Sequence, residues 1–155
     1  MRPMIPRVAA IHDLSGFGRS LLCNVLPILS TMGIQACPVP TAVLSTHSGG
    51  FDGYTFRDLT EDIPDFIRHW RELGFDGIYS GFLGSPRQVE LVRELIHTFR
   101  TPDTWVVIDP VMGDGGALYS SISPEMIAEM RRLIAEADLI VPNQTEAAFL
   151  LGEDP

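Results

Sequence analysis

The residues best suited to chemistry lie in "VVIDPVMGDGGALY", Val106 to Tyr119. An apolar run breaks there into Asp109, Pro110, Gly113, Asp114, Gly115 and Gly116. Pro110 biases Asp109 towards an extended conformation, which directs its carboxylate out of a strand end. The glycines permit positive φ and let backbone amides approach an anion. Two readings stand for this stretch. One is a surface turn rich in Asp and Gly. The other is a magnesium–phosphate edge in which Asp109 and Asp114 hold the ion, usually through water. "PNQTEA" (142–147) offers a third carboxylate, Glu146, three residues after Asn143. The same spacing suits a capping box with Asn143 as the cap, and both uses are compatible.

Three other stretches carry polar groups. "SGFGRS" (15–20) has Gly16 and Gly18, but Leu21 stands where a dinucleotide fingerprint needs its third Gly. A tight strand-to-helix turn and a substrate loop using Asp13 and Ser15 are left. "STHSGG" (45–50) sets His47 and Ser48 among hydroxyls and glycines, with His47 open between a structural and a functional role. His12, His69 and His97 read as structural or solvated. Tyr79 precedes a glycine-rich strand exit. No His/Cys spacing suits zinc, and no G-x-S-x-G elbow is present.

Composition removes whole classes of function. All eleven basic residues are Arg. Without Lys the chain has neither a P-loop nor a Schiff-base lysine. The net charge is −9, and no basic stripe is available to neutralise nucleic-acid phosphates. Arg131 and Arg132, adjacent in a helical pattern, read as a solvated face. Cys23 and Cys37 form no CxxC pair and read as buried free thiols. No apolar run is long enough for a signal-peptide core or a membrane span, so a cytoplasmic location is expected.

The elements that must position these residues alternate in type. Strands are expected at 7–13, 34–40, within 75–84, at 104–109 and at 137–143. Helices are expected at about 20–32, with Pro27 as a kink or break and Gly33 as the stop, and at 60–73, capped by Thr60. Others follow Ser85-Pro86 and Ser123-Pro124, and the last runs over 144–152 with Gly152 as its stop. Pro38 and Pro40 trim the second strand, and 41–56 reads as loop. One core face is expected from Ile63, Phe66, Ile67 and Trp70, and another from Val89, Val92, Leu95, Ile96 and Phe99. Ile127, Met130 and Ile134 supply a third. The 155 residues, 45% hydrophobic, fit one α/β domain with a mainly parallel sheet covered by helices on both faces. Asp13, Tyr79, Asp109 and Asn143 each close a strand, which puts them on the ligand-binding edge of such a sheet.

"AIHDLSGFGRS", "PVPTAVLSTHSGGF", "IYSGFLGS", "VVIDPVMGDGG" and "IVPNQTEA", in this order, resemble the pyridoxal kinases of the ribokinase-like superfamily. The resemblance covers essentially the whole chain and is closest to bacterial pyridoxamine kinases. It implies ATP-dependent phosphorylation of the 5′-hydroxymethyl of a vitamin B6 vitamer, with Mg2+ and a monovalent cation such as K+. Asp13, in a place where many members have Ser, falls at the pyridine contact, and Ser48 with His47 at a hydroxyl contact. Tyr79 falls beside the substrate. Asp109, Asp114 and Glu146 fall at the nucleotide and metal, with Asn143 near the phosphates. Such kinases run beyond 250 residues and carry a Gly-x-Gly-Asp anion hole and catalytic base in their second half, which this chain lacks. Residues 1–155 are therefore expected to be the N-terminal part of one kinase domain, inactive alone and homodimeric at full length. The last strand is expected at an open sheet edge. A kinase of hydroxymethylpyrimidine or its phosphate, with the same fold, is one alternative. A non-catalytic nucleotide- or vitamer-binding module is another.

Overall fold

The computed structural model describes residues 5–18, 20–47 and 51–155. A six-stranded sheet runs in the order β3-β2-β1-β4-β5-β8, and β6 and β7 form a separate hairpin. The strands are β1 (Arg7–Phe17), β2 (Gln35–Thr46), β3 (Phe56–Asp58), β4 (Gly77–Ser80) and β5 (Trp105–Ile108), then β6 (Gly113–Asp114), β7 (Ala117–Leu118) and β8 (Leu139–Ile140). All pairings in the large sheet are parallel except β2 with β3. The helices are α1 (Leu22–Thr31), α2 (Ile63–Ile67), α3 (Pro86–Phe99), α4 (Glu125–Ile134) and α5 (Gln144–Leu151).

Alternate residues of β1 serve opposite faces of the sheet. Ala9 and Ile11 join Ile78, Val106 and Ile108 in the large core beneath α3 and α4. Ala10 points the other way, against Leu22 and Val25 of α1. The expected two-faced sheet is thus present, with most of the covering on one side. α3 follows its expected pattern: Ser85 Oγ accepts from the Gln88 N–H, Pro86 opens the helix, and Val89, Val92, Leu95, Ile96 and Phe99 are buried. Each such side chain contributes about 1.5–3 kcal/mol by burial. Gly33 and Gly152 end α1 and α5 at φ 77° and 81°.

Several expectations are corrected. β1 does not stop at Asp13 but continues to Phe17, because its pairing with β2 resumes past an irregularity between His12 and Leu14. β2 is not trimmed by Pro38 and Pro40 but runs through both, into 41–46. The Gln35 N–H points to β1, bonding the Pro6 carbonyl, so alternation turns positions 38 and 40 to the side where β3 does not reach. Proline is tolerated at such an open edge. α1 passes through Pro27.

The helix over 60–73 is broken into a 3-10 turn at Thr60–Asp62, α2, and a second 3-10 turn at Arg68–Trp70. Thr60 does not cap it; instead Asp58 Oδ1 accepts from the Thr60 N–H at 2.8 Å. Phe66 leaves the expected core face and is exposed. In α4 the fully buried residues are Met126, Met130 and Leu133, with Ile127 and Ile134 at the margin. The two cysteines are free but only partly buried. Cys23 Sγ lies 3.1 Å from the Ser15 carbonyl. β8 keeps two residues of the expected seven and forms the sheet edge, with Leu139, Ile140 and Val141 exposed. No helix among the described residues is long and apolar enough to cross a membrane.

Candidate active site

Strand β2 lies on one side of β1, and β4, β5 and β8 lie on the other. The crevice beyond the carboxyl ends of β1 and β4 is therefore the topological switch point, where open α/β sheets bind ligands. A cavity of about 560 Å³ opens there. Asp13, Ser15 and His47 line it, as do Leu44, Phe56 and Phe82. β4 pairs with β1 only as far as Ile11, so Asp13 still lies just past the end of the central sheet despite the longer β1.

Asp13 is 2% exposed. Its Oδ2 accepts from Ser15 Oγ at 3.1 Å, while Oδ1 is buried without a partner among the described residues. Burial raises the Asp13 pKa, and hydrogen bonds from Ser15 and the backbone oppose that rise. An unsatisfied buried carboxylate oxygen is destabilising in a folded chain and fits a ligand donor. Beneath it, the fully buried ring of His12 meets Tyr79 edge-on at 4.5 Å, and burial pushes its pKa down to about 4. His12 is accordingly a neutral core group.

His47 is fixed by close approach. A Cβ on Gly18 would lie 1.8 Å from His47 Cδ2, and Gly18 has φ 89°, so both space and backbone require glycine there. Ser48 lies outside the described residues. Tyr79 is not part of the cavity wall. It packs beside Ala10 and α1, and its hydroxyl is raised in pKa by burial and then by the Asp109 charge.

The opening motif resolves into two parts. Gly115 and Gly116, both at positive φ, join β6 to β7 in a two-residue hairpin. The amide of Gly115 bonds Asp114 Oδ1 at 2.8 Å, and that of Gly116 bonds Thr145 Oγ1 at 3.0 Å. These amides are engaged within the fold. Asp109, at the end of β5, is different. Burial and then the neighbouring Glu146 carboxylate push its pKa up to about 6. Glu146 is buried and accepts from the Met112 N–H at 3.1 Å and the Asn143 N–H at 2.9 Å. With Asn143 Oδ1 accepting from the Glu146 N–H, the capping box is complete. Asn143 Nδ2 also donates to the Gly113 carbonyl at 2.8 Å, which ties α5 to the hairpin. Asp114 is exposed.

Burial first, and then the charges of Asp114, Glu146 and Asp109, raise the pKa of the Tyr119 hydroxyl. No group of three or more metal-ligating side chains forms among the described residues. Sequence reasoning did not anticipate Phe56, Phe82 and the run Tyr119, Ser120 and Ser121 as cavity wall. That polar run between a glycine turn and a helix was the one local signal available.

Residues 26–155 match the family model described as phosphomethylpyrimidine kinase. Pyridoxal kinase PdxY of Vibrio vulnificus is 32% identical over 148 residues, covering 90% of this chain and 50% of that protein. A Bacteroides thetaiotaomicron protein, provisionally described as a phosphomethylpyrimidine kinase and crystallised with pyridoxal, is 52% identical. It superposes with a TM-score of 0.93 over 96% of this chain and 52% of its own. Pyridoxal kinase of Leishmania donovani in complex with ADP and pyridoxamine is 26% identical, with a TM-score of 0.79 over 93% and 52%. The chain therefore belongs to the phosphomethylpyrimidine kinase family, has the ribokinase-like fold of the pyridoxal kinases, and spans about half the length of the relatives it matches.

Proposed function

We propose that this chain supplies the substrate-facing and metal-facing part of an ATP-dependent kinase of vitamin B6 vitamers. The reaction is phosphoryl transfer to the 5′-hydroxymethyl of pyridoxal, pyridoxamine or pyridoxine. The observation that carries the reading is the cavity at the switch point with the unpartnered Asp13 Oδ1 in its wall. Asp13 takes a donor on the ring edge, and Ser15, His47 and Ser48 supply further polar contacts. Tyr79, which the family resemblance sets beside the substrate, packs edge-on against His12, the neighbour of Asp13 in β1.

Asp109 and Glu146 suit a cation. Their like charges oppose one another in a partly buried place, so these two carboxylates would hold Mg2+, which would supply charge to neutralise phosphate oxygens. Asp109 is the carboxylate open to the ion. Glu146, held by two backbone amides, would add its charge beside the ion, with Asp114 at the rim and Asn143 towards the phosphates. A monovalent cation such as K+ and a cytoplasmic homodimer complete the proposed whole.

The chain contains no Gly-x-Gly-Asp sequence. General-base catalysis is worth about 10²–10⁴-fold, so residues 1–155 by themselves bind and do not turn over. Calorimetry with pyridoxal and with Mg-ATP, run beside a turnover assay, tests this. Binding without turnover is the expected result. Binding of neither ligand would remove the reading, and turnover near that of a full-length relative would place the base within this chain. The matched family description favours one second reading, a hydroxymethylpyrimidine substrate. Tighter binding of the pyrimidine than of pyridoxal would select it.

A further inference from the structure

Gln88 is a buried polar side chain that does not line the cavity, yet it joins the cavity's walls. It sits in the first turn of α3 and is 1% exposed. Its Oε1 accepts from the Gly84 N–H at 2.8 Å. Its Nε2 lies 2.9 Å from the Thr41 carbonyl, 2.9 Å from Thr60 Oγ1 and 3.1 Å from Asp58 Oδ1. Thr41 and Thr60 are themselves buried. Thr41 Oγ1 in turn donates to the Phe82 carbonyl at 3.2 Å. One carboxamide thus joins α3, β2, the end of β3 and the loop after β4.

Those elements carry Leu44, Phe56 and Phe82 in the cavity wall. Phe56 and Phe82 converge on Gly84: a Cβ there would stand 3.8 Å from Phe56 Cζ, from Phe82 Cε1 and from Gln88 Oε1. The strand bearing Phe56 has three residues, all exposed, paired on one side only. So short an edge strand holds its place weakly by pairing alone. A buried carboxamide must have its donors and acceptor satisfied, so its network permits one arrangement of these walls.

We infer that Gln88 is a positioning residue that fixes Phe56 against Phe82 and thereby sets the shape of the cavity that selects the ring substrate. This rests on the cavity being the vitamer pocket. Gln88→Glu tests it. The variant keeps size and the acceptor for the Gly84 N–H, but faces three acceptors with a carboxylate. Two ligands are compared, pyridoxine and its 4′-O-methyl ether, together with amide exchange at Gly84 and Thr60.

The expected result is a folded variant that binds pyridoxine about tenfold more weakly, the scale of one lost buried hydrogen bond. Its preference for pyridoxine over the ether falls, and exchange at both amides quickens. A loss of stability without a wall-shaping role moves affinity for both ligands alike. Thr41→Val, which removes only the link to Phe82, gives the same change in smaller degree and covers the case in which Gln88→Glu does not fold. Wild-type affinity and preference in folded variants would overturn the inference and leave the vitamer reading standing. Should the wild type bind neither ligand, the vitamer reading falls, and unchanged exchange at Gly84 and Thr60 sinks the bracing role as well.

Discussion

Asp109 is the clearest place to test the electrostatics of the site. Its pKa stands at about 6 instead of 3.8, first through burial and then through Glu146. Between these values the folded chain keeps a proton that the unfolded chain has released. Stability is therefore complete with respect to this group below pH about 4 and declines as pH rises through about 6. The full linkage for that gap is about 3 kcal/mol. Asp109 is only partly buried, so water screening reduces the expectation to about 1–2 kcal/mol. Asp109→Asn keeps the shape and removes the charge. Urea unfolding of both proteins from pH 3.5 to pH 7.5 reads the difference directly. The two should coincide at the acid end, and the variant should be the more stable by about 1–2 kcal/mol at pH 7. Added Mg2+ should narrow that gap by stabilising the wild type alone. A variant that tracks the wild type within about 0.5 kcal/mol across the whole range would show that Asp109 and Glu146 do not strain one another. The argument for a cation between them would go with it.

Two further outcomes follow from the packing. Gly81→Ala places a Cβ 2.2 Å from His12 Nδ1, against a ring with no room to retreat. A loss of about 2–3 kcal/mol is expected by overpacking; a urea midpoint unchanged by the substitution would mean that His12 is loosely held. Leu139→Lys puts a charge on β8, the open sheet edge where Leu139 is 50% exposed. Sedimentation should show less concentration-dependent self-association with stability altered by no more than about 0.5 kcal/mol, and equal association of both chains would clear this edge of any part in it.

Much of the architecture was legible because its signals are local. The cap at Ser85 acts three residues away, on Gln88. The capping box of Asn143 and Glu146 spans the same distance, and Gly152 stops the helix that it opens. The buried stripe of α3 repeats at the helical period. Motif order conveyed the family, and alternation of strand and helix conveyed the parallel sheet. The misread elements depend on neighbours instead. Pro38 and Pro40 mark a strand end in isolation, yet they sit within β2 because their missing N–H groups face an edge that β3 leaves open. Thr60 suits a cap in isolation, yet its own amide and hydroxyl go to Asp58, outside the expected helix.

The site divides in the same way. Sequence by itself determined which chemistry is available: carboxylates at Asp13, Asp109, Asp114 and Glu146, hydroxyls at Ser15 and Ser48, no lysine, and the glycines that a tight hairpin needs. Tertiary structure alone decided how those groups are tuned. It left one oxygen of Asp13 unpartnered in the cavity, set Glu146 against Asp109 across 37 positions of chain, and joined Gln88 to Thr41 across 47. Charge repulsion, desolvation and buried hydrogen bonding depend on distance in space and on the exclusion of water. Neither quantity exists along the chain until the sheet has brought its strand ends together.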